Sequence, residues 1–158
     1  MANLTTARVT DVRLDPLYGF RRGAGCAASL TFFTGSLLMY NAAGFLTNVA
    51  ASTLKPGGIL GPQSAKVPAT SYTSTAVAGE TVLEIMPVTA KLDNDQADAL
   101  TIADIDGPCY FTDDHTVCKT ATGKSFVGRV VGIDDATSPT GAGVWVAIGQ
   151  VAIGDGLP

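Results

Sequence analysis

The segment SFVGRVVGI, residues 125–133, determines which fold class this chain can adopt. Each of its two glycines would destabilise a helix by about 1 kcal/mol relative to alanine. The β-branched side chains in it favour a strand: Val127, Val130, Val131 and Ile133. The apolar run GVWVAI at residues 143–148 follows after a turn-rich stretch. Both segments are predicted to be β-strands.

Earlier parts of the chain repeat this pattern of short apolar runs separated by Gly, Asn, Ser and Pro. The runs are LTFF (30–33), SLLMYN (36–41), TVLEIMPV (81–88), PCYFTD (108–113) and TVCKT (116–120). Pro87 is expected to mark the end of its strand or an edge of the sheet. Regularly spaced strands with almost no helix predict a mainly β protein, either a small β-barrel or a β-sandwich.

Three segments depart from the strand pattern. Residues 53–80 contain many Gly, Pro, Ser and Thr and predict a long surface loop with one short strand near Ile59 and Leu60. Residues 93–107 predict one short helical turn, with Asp95 or Asp98 as N-cap and Gly107 as the stop. Residues 1–29 predict an extended N-terminal arm or lead-in, and residues 30–158 the β-rich domain.

Composition limits the classes of function. The chain has 158 residues, enough for one domain, and 10 Lys and Arg against 14 Asp and Glu. An acidic surface repels phosphate backbones, so nucleic acid is not an expected partner. No apolar run approaches the ~18 residues of a membrane span, and the N-terminus lacks a signal-peptide core, so synthesis in a cytoplasm is expected.

The cysteines Cys26, Cys109 and Cys118 are odd in number and lack CxxC spacing, which predicts buried, reduced thiols rather than a disulfide framework or a zinc site.

The Gly123-Lys124-Ser125 triplet is not predicted to be a P-loop. The first glycine of that motif is replaced by Cys118, and a strand rather than a helix follows.

No catalytic, cofactor or metal site is predicted. Asp93, Asp95 and Asp98 lack the glycine and glutamate positions of a calcium loop and are interpreted as loop and cap acids. His115, the single histidine, is interpreted as a solvated turn residue. No enzyme constellation is present.

The densest basic and aromatic cluster lies in the predicted arm. Its members are Tyr18, Phe20, Arg21 and Arg22. Arginine and aromatic side chains are enriched at binding hot spots, so these four residues are the candidate partner-binding site. Gly19, Gly23 and Gly25 would let the arm flex.

The order of several blocks resembles the capsid decoration (cement) proteins of tailed bacteriophages, over residues 30–148. The blocks are SLLMYNAAG, DALTIADIDG, YFTDDHTV, GRVVGI and GVWV. The Asp-Gly-Pro at 106–108 replaces a simpler glycine of that pattern. The resemblance implies a non-enzymatic virion protein that lies on the outer capsid surface as a homotrimer and bridges subunits of the major capsid protein. It also implies that residues 120–125 form a turn in which Lys124 stays solvated.

A β-sandwich ligand-binding or receptor-binding module of a viral appendage is the alternative function. Exposed aromatic side chains would discriminate between the two functions, because a sugar platform needs a solvent-facing Trp or Tyr. Trp145, the single tryptophan, is expected in a core or an interface because it lies within the apolar run GVWVAI.

Overall fold

The protein is mainly β, and a computed structural model describes residues 3–6, 12–13, 22–61, 70–135, 137–138 and 141–149. These ranges contain thirteen strands and one 3₁₀ turn, Ile102–Asp104. The strands are β1 (Val12–Arg13), β2 (Arg22–Gly25), β3 (Thr31–Phe33), β4 (Leu37–Tyr40), β5 (Leu46–Thr47), β6 (Lys55–Leu60), β7 (Ser71–Thr73), β8 (Val82–Met86), β9 (Thr89–Asn94), β10 (Pro108–Asp113), β11 (Thr116–Cys118), β12 (Phe126–Asp134) and β13 (Gly143–Ile148). The predicted fold class is confirmed.

The largest sheet closes on itself. Its strands follow the order β1-β9-β11-β10-β12-β13, and β9 also pairs with β13. The series β9-β11-β10-β12-β13 therefore returns to β9 as a small barrel, with β1 added beside β9. The β9–β11 pair is parallel, whereas the other pairs are antiparallel. The two segments that determined the fold class, β12 and β13, pair along most of their length.

The second sheet has five strands in the order β2-β8-β6-β4-β5. Its two outer strands come together where Cys26, directly after β2, bridges to Leu46 of β5. The backbone N–H of Ala27 donates to the Leu46 carbonyl over 2.8 Å. β3 and β7 form a separate two-stranded sheet.

Strand β4 is buried on both faces because it lies between two hydrophobic clusters. Leu37 and Met39 belong to the larger cluster, which combines residues of both large sheets. Leu38 belongs to the smaller one, together with Phe32 and Leu60. A strand with two buried faces reads as a continuous apolar run, which explains the LLMY sequence.

The long loop predicted for residues 53–80 contains the expected strand near Ile59 and Leu60, but that strand begins earlier than expected, and an unexpected strand, β7 (Ser71–Thr73), follows in the same range. β6 (Lys55–Leu60) is a six-residue strand between β8 and β4. Its glycines are required by close packing: a Cβ on Gly57 would lie 2.3 Å from the Leu38 carbonyl oxygen, and one on Gly58 2.5 Å from that of Met86. Glycines that admit neighbouring backbone were thus misread as loop residues.

The predicted helical turn exists, but its N-cap prediction was wrong. Thr101, not Asp95 or Asp98, precedes the turn. The backbone N–H and hydroxyl of Thr101 donate to the Asp104 carboxylate over 2.8 and 2.9 Å. The predicted stop at Gly107 was also wrong, because the turn ends at Asp104 with Ile105 as its C-cap.

Parts of the predicted N-terminal arm belong to the sheets. Val12–Arg13 pairs with β9, and Arg22–Gly25 pairs with β8. Cys26, the next residue, is fully buried. Residues 22–26 are therefore part of the β structure, and residue 30 is not the point where that structure begins.

Candidate functional site

Of the four predicted partner-binding residues, only Arg22 lies within the described residues; Tyr18, Phe20 and Arg21 lie outside them. Arg22 begins β2, and its guanidinium carbon lies 5.3 Å from the centre of the Tyr40 ring. It also donates to the Gly57 carbonyl over 3.3 Å. Arg22 is exposed, but its guanidinium group contacts Tyr40 and Gly57 of its own sheet. These contacts orient the side chain without a binding partner.

A second exposed surface, missed in the sequence, lies on the 3₁₀ turn. Ile102 is 77% exposed and Ile105 is 39% exposed. The sequence signal was available, because two isoleucines three residues apart stand in an otherwise polar segment, TIADIDG. We call Ile102 and Ile105 the isoleucine pair.

The backbone around the isoleucine pair is tied to the barrel. Asp104 forms a 2.7 Å ion pair with Lys119. The N–H of Asp106 donates to the Val130 carbonyl over 2.8 Å, and the Asp106 carboxylate pairs with Arg129. The turn therefore presents apolar side chains from a braced backbone.

The Gly123-Lys124-Ser125 triplet forms the turn before β12, as predicted. Gly123 has a φ of +71°, a conformation in which glycine is favoured. The Lys124 ammonium is not simply solvated: it donates to the Cys118 sulfur over 3.0 Å and to the Thr112 hydroxyl over 3.2 Å. Its bond to the Cys118 sulfur, with added attraction from nearby carboxylates, raises the pKa of Lys124.

The three cysteines are buried and free, which confirms the prediction of unpaired structural thiols. Burial raises the pKa of Cys26 to about 11 and that of Cys109 to about 12. A thiol with so high a pKa is a poor nucleophile and a poor metal ligand at neutral pH.

Asp95 and Asp98 serve as hydrogen-bond acceptors in their loops. Asp95 accepts from the N–H of Ala97 over 3.0 Å. Asp98 accepts from the N–H and hydroxyl of Thr120 over 2.8 and 2.9 Å, and the backbone bond is the main cause of its lowered pKa. Asp93 is exposed at the end of β9.

His115 lies in the predicted turn, but the prediction that its side chain is solvated was wrong. The side chain is only 19% exposed, and its Nδ1 lies 3.1 Å from Asp113 Oδ1 and 3.0 Å from Asp114 Oδ1. Both aspartates are almost completely buried, at 2% and 0% exposure. We call these three residues the Asp-Asp-His cluster. The adjacent acids in TDDHTV were the sequence signal, but their burial was not visible there.

Trp145 is 7% exposed and does not belong to the larger core cluster, unlike its strand neighbours Val144 and Val146. A Cβ on Gly132 would lie 3.6 Å from its ring, and its indole N–H donates to Asp134 over 2.9 Å. Every aromatic side chain in the described ranges is buried or half-buried. These residues therefore offer no exposed aromatic platform.

Comparison with known proteins adds no relative to these observations. No protein-family model, curated protein or solved structure matches the chain significantly. Within the described ranges, no helix has the length and apolarity needed to cross a bilayer.

Proposed function

We propose that this protein is a non-enzymatic virion component that binds the outside of an assembled bacteriophage capsid and bridges subunits of its major capsid protein. In this proposal it acts as a homotrimer. Support comes from the ordered blocks that resemble capsid decoration proteins and from the β architecture that those blocks adopt. A cap that binds the assembled shell, but not separated subunits, stabilises the shell by mass action.

The observation that carries the proposal is the braced, exposed isoleucine pair. It lies within DALTIADIDG, one of the blocks on which the resemblance rests. Burying an isoleucine side chain contributes about 1.5–3 kcal/mol, and Ile102 starts 77% exposed. Because the turn is already ordered, docking loses little conformational entropy. Repetition of the contact over a shell multiplies a modest affinity.

The alternative, a sugar-binding or receptor-binding module, gains no support from the described aromatic residues. Trp145 is buried against Gly132 and is bonded to Asp134. A stacking platform needs an aromatic face open to solvent. The exposed apolar side chains in the described ranges are instead aliphatic, which suits contact with another protein surface.

The test is retention on heads of the phage whose genome encodes the chain. Wild-type protein should sediment with intact heads in a fixed ratio to the major capsid protein. Ile102→Ser should weaken retention about tenfold or more, since a factor of ten corresponds to about 1.4 kcal/mol. Val77→Ser is the matched control, because Val77 is also an exposed aliphatic residue, at 62% exposure, in a different loop.

Both variants should melt like the wild type, because neither side chain is buried in the isolated chain. Failure of the wild-type protein to bind heads would contradict the proposal. Equal retention of both variants would instead show that the isoleucine pair is not the contact.

The same assay tests the predicted partner-binding residues. Alanine at Tyr18, Phe20 and Arg21 together removes these side chains but keeps β1 (Val12–Arg13) and β2 (Arg22–Gly25) in the chain. We expect this triple variant to fold and to bind heads at least about tenfold more weakly. A folded triple variant that binds as tightly as the wild type would remove these residues from the contact.

A further inference from the structure

The turn between β10 and β11 brings three metal-ligating side chains together. Asp113, Asp114 and His115 each offer a ligand atom, and these atoms lie within 4.8 Å of one another. We infer that the Asp-Asp-His cluster is a binding site for one divalent transition-metal ion, with His115 Nδ1 and the two carboxylates as its protein ligands. This inference is independent of the proposed capsid role.

The first argument is charge. Two adjacent carboxylates are buried at 2% and 0% exposure, and burying an uncompensated charge costs several kcal/mol. Among the described residues, His115 is the only basic side chain within ion-pair distance of Asp113 or Asp114. A protonated imidazole would leave one negative charge, whereas a divalent ion bound to a neutral imidazole cancels both.

The second argument is hydrogen bonding. Oδ2 of Asp113 and Oδ2 of Asp114 are both buried and accept no hydrogen bond. Buried carboxylate oxygens normally have a partner, so two orphans in adjacent residues point to a further ligand at this turn. The Oδ1 atoms each accept one backbone bond and keep a second lone pair for an ion: Oδ1 of Asp114 accepts from the Leu4 N–H over 2.7 Å, and Oδ1 of Asp113 from the backbone N–H of His115 over 3.1 Å.

The third argument is spacing. Ligands about 2.1 Å from an ion lie about 3.0 Å apart at right angles and about 3.4 Å apart at the tetrahedral angle of a zinc site. His115 Nδ1 lies 3.1 and 3.0 Å from the Oδ1 atoms of Asp113 and Asp114. The two Oδ1 atoms therefore already lie close to ligand separation from the imidazole nitrogen.

The ligand set defines the class of metal. An imidazole nitrogen with carboxylate oxygens suits zinc and neighbouring first-row ions, whereas calcium and magnesium prefer all-oxygen sites. His115 also lines a surface groove of about 370 Å³ with Asp93, Asn94, Gln96 and Gly143, so the imidazole end of the cluster faces solvent.

The bound ion would stabilise the fold rather than catalyse a reaction. The Asp114 carbonyl accepts from the Leu37 N–H over 2.6 Å, which joins the turn to β4 of the other sheet. The Asp114 carboxylate also holds Leu4 near the N-terminus. An ion on this turn would therefore fasten three distant segments together.

The test uses the full chain, stripped with a chelator and titrated with Zn²⁺ by calorimetry. We expect one ion per chain, with Mg²⁺ and Ca²⁺ binding much more weakly. At a zinc concentration 100-fold above the Kd, the melting temperature should rise by about 5–10 °C. Because the chain has one histidine, NMR of its imidazole nitrogens reports the site directly, and Nδ1 should shift on zinc addition.

His115→Gln should weaken zinc binding by more than about tenfold, since it removes a ligand. Glu80→Gln, which removes an exposed carboxylate in the loop between β7 and β8, should bind like the wild type. Cys118→Ser should also bind normally, which separates this site from thiol coordination. If any variant fails to fold, the wild-type NMR titration still decides.

Two results would overturn the inference. One is the absence of stoichiometric zinc binding by the wild-type chain at micromolar ion. The other is an imidazole that carries protons on both nitrogens near neutral pH and does not respond to zinc, since the cluster would then be an ion pair.

Discussion

Replacing Ser125 with alanine should test how the turn before β12 is joined to the rest of the fold. Ser125 is 3% exposed, and its hydroxyl accepts from the Leu54 N–H over 2.7 Å and donates to the Ala51 carbonyl over 2.6 Å. Leu54 is itself buried, at 8% exposure, so its N–H cannot turn to water when the hydroxyl is removed. Ala51 is exposed, so its carbonyl can bond to water instead.

The expected cost is that of one buried donor left unsatisfied, about 1–3 kcal/mol. For a chain of this size, each kcal/mol lowers the melting temperature by about 2–4 °C, so a decrease of about 2–12 °C is expected. In urea, the midpoint should fall while the slope stays constant, because the surface exposed on unfolding is unchanged. The Leu54 amide should also exchange faster with solvent.

Ser52→Ala is the matched control, since Ser52 is exposed in the same segment as Leu54. Its unfolding free energy should stay within about 0.5 kcal/mol of the wild type. If Ser125→Ala is equally mild, the hydroxyl bridge contributes nothing and the reasoning is wrong.

Two further predictions concern stability. Trp145→Ala should lower the unfolding free energy by about 3–5 kcal/mol, because the ring is almost fully buried; a wild-type melting curve with loss of self-association would instead place the ring in an interface. The Lys119 ammonium, and then the Thr101 N–H and hydroxyl, lower the pKa of Asp104 from 3.8. Its stabilisation is therefore present above that pH and is lost as the pH falls through the folded-state pKa. Asp104→Asn should flatten the acid side of the melting-temperature profile, and superimposable profiles would contradict this.

Several features follow from residues close together in the chain. The β-branched run at 125–133 predicts β12, because steric preference acts residue by residue. The alternation in TVLEIMPV predicts a strand there, and in β8 the face with Leu83 and Ile85 is the buried one; Pro87 follows its last residue. The positive φ of Gly123, +71°, is likewise set by the turn in which the residue lies and does not depend on distant segments.

Other features depend on partners far away in the chain. The barrel closes because β9 pairs with β13, some fifty residues later in the chain. The sequence of neither strand identifies the other as its partner. Gly57 and Gly58 resemble loop residues until the carbonyls of Leu38 and Met86 are placed against them. Ser125 resembles an ordinary turn serine until it bridges a segment 71 residues away.

The candidate sites divide in the same way. The chain shows that Asp113, Asp114 and His115 are adjacent, and that isoleucines recur at 102 and 105. It does not show that the two carboxylates are buried while both isoleucines are exposed. Burial is a property of the whole packed molecule, because it depends on which distant segments cover a side chain. Adjacency is therefore available from the residue order, whereas the desolvation that makes two aspartates a candidate metal site arises only when the sheets pack together.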